Sequence, residues 1–181
     1  MACIPKVQVG LTLPCGAPNA SDLGRPLEAK FLNAQDIASF TVSGGVASIT
    51  RVKGGRAYAI TAVNNALTLS VGLKSQDIMP GAYDVTVTFK NFATVINTTT
   101  LNPMGIVDGI ARMEMVLFVK HASGKCKVYG LGAPLVCLEL SGDSVESDFY
   151  KYTYGVEDWQ VGTTIHNISL EDYEALDTPV E

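Results

Sequence analysis

The sequence predicts a mainly β protein, an antiparallel β-sandwich or rolled sheet with one short flanking α-helix. Three observations carry this. Short runs alternate between apolar and polar residues, most cleanly in Tyr83-Asp84-Val85-Thr86-Val87-Thr88-Phe89, which has one apolar face and one wet face. Glycine, asparagine and proline recur between these runs, where chain reversals need them. Helical spacing is confined to residues 103–112, with Met104, Val107 and Ala111 on one side.

The elements follow in chain order. Residues 1–36 hold Pro5, Pro14, Pro18 and Pro26, with Gly10, Gly16 and Gly24 between them. They read as a loop-rich arm with a short turn near its end, ordered on docking with a neighbour. Residues 46–52, 56–63 and 66–72 read as a meander of three antiparallel strands. Its turns are Lys53-Gly54-Gly55-Arg56 and Asn64-Asn65. A strand over 83–89 comes next. Asn102-Pro103 suits a helix start, and Gly105 and Gly109 let that helix lie close to a sheet. Residues 113–121 and 125–130 form a hairpin about Ala122-Ser123-Gly124, and residues 135–140 and 163–168 are further strands. Residues 171–181 are an acidic, frayed end. With neither an internal repeat nor a dividing linker, residues 1–181 read as one β-rich domain.

Composition narrows the function. The 181 residues are 47% hydrophobic and 17% charged, below the roughly 25% charge of average proteins. No apolar run approaches the ~18 residues of a spanning helix, so the surplus apolar surface is expected to face another subunit, not lipid. The N-terminus lacks the basic start and apolar stretch of a signal peptide, which points to synthesis and retention in a cytoplasm. Cys3, Cys15, Cys126 and Cys137 lack metal-binding spacing and read as small buried residues. Charge is divided: residues 1–138 carry 12 Lys+Arg and 7 Asp+Glu, whereas residues 139–181 carry 1 and 11. A basic body with an acidic end suits head-to-tail contacts, and equally a solvated tail.

No catalytic constellation, cofactor motif or metal site is legible. His121 and His166 lie in no catalytic spacing, and Gly54-Gly55 joins strands where a phosphate loop would open a helix. Asp143, Glu146, Asp148, Glu157 and Asp158 cluster without the spacing of a calcium loop, and read as an acidic lumen or interface surface. Acid–base catalysis by that cluster is the enzymatic alternative. Tyr150, Tyr152 and Tyr154 share one strand face and read as sheet or interface packing. Stacking on sugars is the competing role, and a carbohydrate-binding or adhesin module the competing class.

The succession Gly54-Gly55-Arg56-Ala57-Tyr58, Ala66-Leu67-Thr68-Leu69, Tyr83 to Phe89, Met115 to Val119 and Gly124-Lys125 before Lys127-Val128-Tyr129-Gly130 resembles small virion structural proteins. These are the tail-tube-like proteins of phages infecting Bacteroidetes-type bacteria, and the resemblance spans residues 40–168. It implies a homo-oligomer, commonly a hexameric ring, stacked with other virion proteins into a tail tube through which genomic DNA passes without specific binding. A connector ring or capsid-associated subunit is implied equally. The implied location is the virion tail, after assembly in the host cytoplasm, with no membrane involvement.

Overall fold

The computed structural model describes residues 26–60, 67–73, 83–92, 109, 111–143, 149–156 and 164–181. The fold is mainly β, as expected, and among the described residues it consists of two sheets with short helical segments. The strands are β1 (Pro26–Asn33), β2 (Ile37–Ser43), β3 (Val46–Arg51), β4 (Tyr58–Ala59), β5 (Thr68–Leu73), β6 (Tyr83–Phe92), β7 (Met115–His121), β8 (Cys126–Leu131), β9 (Val136–Asp143), β10 (Phe149–Gly155) and β11 (Thr164–Ile168). Helix α1 spans Leu170–Ala175. The larger sheet has the order β2-β3-β11-β8-β7-β1-β4 and the smaller the order β5-β6-β10-β9. Among the described residues all pairings are antiparallel except a single parallel contact, Asn167 with Val46.

The larger sheet must roll. Only Ala34–Asp36 separate β1 from β2, yet four strands lie between them in the sheet order. Strands sit about 4.8 Å apart, so three residues cannot bridge a flat sheet of that width. The roll buries the sheet on both faces. Met115, Leu117 and Val119 of β7 pack with Val85, Val87, Phe89, Tyr152 and Tyr154 of the smaller sheet. Val116 and Phe118 point the other way, into a second core with Leu32, Val128, Ile168, Tyr173 and Leu176. A strand buried on both sides is apolar without alternation, as β7 is.

Three corrections to the sequence reading follow. First, the expected arm contains β1, which pairs with β7 over seven positions and holds Lys30 and Leu32 in the second core. Residues 1–25 lie outside the described residues. Second, the expected three-stranded meander does not form. β3 pairs with β2 through a two-residue turn, Gly44-Gly45, both with positive φ, the conformation glycine adopts freely and hairpins with two-residue loops require. β4 pairs with β1, and β5 belongs to the other sheet. Lys53–Arg56 therefore carries the chain away from β3 instead of turning it back. The Gly54 N–H donates to Val180 O (2.8 Å) and the Gly55 N–H to Val52 O (2.9 Å).

Third, the acidic end is folded. Ser169 caps α1: its Oγ accepts from the Asp172 N–H (3.0 Å) and donates to Asp172 Oδ2 (2.7 Å). Glu171 and Asp172 also suit the positive end of the helix dipole. The helix expected over 103–112 is present at the residues described there, Gly109, Ala111 and Arg112, and α1 is a further helix that the sequence reading does not include. The remainder of 103–112 lies outside the described residues. The expected hairpin of β7 and β8 and the expected strands β6, β9 and β11 are all present.

Candidate assembly surface

The roll leaves one part of its apolar interior open. In the β2–β3 ladder, Phe40 faces Ile49 and Val42 faces Ala47. Cross-strand partners share a face. On β3 that face is covered: Ala47 is fully buried and Ile49 packs against the second core. On β2 it is not, and Phe40 and Val42 are each 41% exposed. Among the described residues β2 pairs with β3 alone, so its other edge is free. Its sequence, Ile-Ala-Ser-Phe-Thr-Val-Ser, has no charge or proline. Those are the devices by which edge strands commonly avoid pairing with other chains.

An open groove of about 470 Å3 adjoins this edge. Ile37 and Phe40 line it from β2, Val116 and Leu131 from β7 and β8, and Pro134 from the following turn. Gly130 (φ 85°) and Gly132 (φ 81°) shape that side. Gly130 is the extra residue of a bulge, since β11 passes from Leu131 to Tyr129 between adjacent residues. A Cβ at Gly132 would lie 3.3 Å from the Phe40 ring, so the missing side chain gives the ring its seat.

The residues singled out from sequence fall elsewhere. Tyr152 and Tyr154 are buried in the core between the sheets, stacked on Phe89 at ring-centroid distances of 5.2 and 6.0 Å. Of the two roles read for them, sheet packing applies and an interface role does not, because no surface remains for a neighbour or a sugar. Tyr150 pairs with Asn91 and Gly142 in the same strand. Asp143 ends β9, and Glu146, Asp148, Glu157 and Asp158 lie outside the described residues. The free edge of β2 escaped the sequence reading, although Gly44-Gly45 between two apolar-containing runs was the signal for it.

Cys126 and Cys137 are free thiols on different sheets, and burial pushes both thiols up, which keeps them protonated and inert. Cys3 and Cys15 lie outside the described residues. Among the described residues no group of three His, Cys, Asp or Glu side chains is placed to hold a metal ion. Among them also, no helix is long and apolar enough to cross a membrane.

The buried tyrosines set an alkaline limit. Burial pushes the Tyr129 hydroxyl up to about 12, and burial also raises those of Tyr154 and Tyr173. The unfolded chain ionises near 10, so above that pH the folded state holds more protons than the unfolded one. Stability is then complete below about pH 10 and falls as pH climbs toward 12. Tyr129 alone accounts for roughly 2–3 kcal/mol of that loss. Denaturant titrations across this range, read beside tyrosinate absorbance, are expected to show the midpoint dropping and tyrosinate appearing together with unfolding.

Comparison of the chain with protein-family models, with curated proteins and with solved structures gives no match.

Proposed function

We propose that this chain is a non-enzymatic structural subunit of a bacteriophage virion, of the tail-tube kind, which acts by assembling with copies of itself into stacked rings around a DNA conduit. The observation that carries the assembly part is the uncharged free edge of β2, where the inner apolar face continues uncovered through Phe40 and Val42. An edge of this kind pairs with another chain. The virion part rests on the resemblance of residues 40–168, and the conduit part on the acidic bias of residues 139–181, since like charge keeps DNA from adhering to a wall. The sugar-binding alternative loses its motive with Tyr152 and Tyr154 buried.

Negative-stain electron microscopy beside light scattering tests the reading. Rings or tubes with a central hole are expected from the purified protein, and a strict monomer at high concentration counts against the proposal. Val42→Asp should raise the concentration needed for assembly by at least about tenfold, through burial of a charge in the contact. Its effect on monomer stability should stay within about 0.5 kcal/mol, because the site is exposed.

A further inference from the structure

The free edge of β2 has a complementary run of residues within the same sequence. Residues 7–13, Val7-Gln8-Val9-Gly10-Leu11-Thr12-Leu13, place Val7, Val9, Leu11 and Leu13 on one side and Gln8, Gly10 and Thr12 on the other. This is the period of a half-buried strand. Pro14 ends the run. Like β2, it has seven residues and no charge. We infer that residues 7–13 of one copy add as an eighth strand to the β2 edge of a neighbouring copy, with their apolar side over Phe40 and Val42. This rests on the assembly reading above and names the contact that produces it.

The topology argues for a neighbour as the source. Pro26 pairs with His121 at one end of the sheet, and Asn33 pairs with Met115 at the other. The groove lies at the second end, lined by Ala34, Glu114 and Pro134. The chain enters β1 at the first end and runs toward the groove, so the preceding residues leave the sheet at the end away from it. The described chain begins at Pro26, so the arm is attached at the end of the sheet away from the groove. A contact between unlike surfaces at opposite ends is heterologous, and it repeats from copy to copy. Residues 14–25 span up to about 40 Å when extended, more than the roughly 26 Å length of β1, so residues 7–13 can reach beyond their own sheet. Backbone pairing supplies affinity in such strand addition, and the alternate side chains supply register.

The test uses the full chain with a photoreactive benzoyl-phenylalanine at position 40, an aromatic side chain in place of an aromatic one. Isotopically light and heavy chains are mixed in equal amounts before assembly and irradiation. Expected are cross-links from position 40 to residues 7–13, most of them joining light to heavy chains in the assembled material. A second variant, Val9→Asp with Leu11→Asp, should weaken association at least about tenfold while leaving the thermal midpoint of the monomer unchanged. Cross-links confined to single chains, cross-links to other segments, or none at all overturn the inference. If microscopy of the same samples still shows rings or tubes, only the contact is wrong and the assembly reading survives. If only monomers are seen, both fall.

Discussion

A chain ending at Ile168 should fail to reach a stable folded state. The lost segment, 169–181, seals the second core: Tyr173 and Leu176 are buried there, and burying each contributes about 1.5–3 kcal/mol. The segment also satisfies two cations of the sheet. Lys30 Nζ is 2.7 Å from Asp177 Oδ2, donates to Tyr173 O (3.1 Å) and sits 4.4 Å from the Tyr173 ring centre. Arg51 donates to the carbonyls of Ala175, Leu176 and Thr178 at 3.1, 2.8 and 2.9 Å. The Ala57 N–H donates to Leu176 O (2.8 Å). Without the segment Lys30 is left beside Phe118 with no counter-charge. Together these effects reach the order of 5–10 kcal/mol, comparable with the whole stability of a domain. Circular dichroism and denaturant titration decide the matter, and a truncated chain with the full chain's midpoint would refute the sealing role. Lesser changes separate the contributions. Lys30→Met should be close to neutral, because an apolar side chain suits the site once Asp177 can return to water. Asp177→Asn should cost only about 1 kcal/mol, since that carboxylate is 57% exposed.

Phe118→Ala should destabilise the fold by about 3–5 kcal/mol. Phe118 is completely buried at the middle of β7, paired with Lys30 on one side and Val128 on the other. Its neighbours lie on strands held by two ladders, so they cannot close over the missing ring, and the cavity term stays large. Phe40→Ala provides the contrast. Phe40 is 41% exposed, and its loss should cost about 1 kcal/mol or less while the proposed assembly weakens. Urea titrations of the two variants under identical conditions measure the difference. Equal losses would mean that β2 belongs to the core and not to an interface.

The contrast also shows what was legible in the sequence. β6 declares itself because one of its faces is wet, and the β7–β8 hairpin because its turn is local. β1 was hidden by Pro26 and Lys30. The proline is tolerated as the first residue of the strand, and the lysine fits an apolar site only because Asp177, 147 residues away, meets it there. No local pattern announces such a partner. The sheet order was hidden for the same reason. β3 and β4 are neighbours in sequence, yet they part because β4 finds β1, and Ala57 before it finds Leu176. The tyrosines of β10 were correctly placed on one strand face, but which sheet that face would meet depends on β7. The free edge of β2 was obscured because its Phe40 and Val42 look like core until the strand is known to lie last in its sheet.

The short link between β1 and β2 bears on how the chain reaches this state. The roll begins at residues 34–36 but is held by Lys30 reaching to residue 177 and Arg51 to residue 178. Many of its stabilising contacts therefore join distant parts of the chain, and loop-closure entropy must be overcome before they form. Folding of such a topology runs in milliseconds to seconds instead of microseconds. The uncharged edge of β2 is then a site for premature pairing, so the yield of folded chain depends on folding rate as well as on concentration.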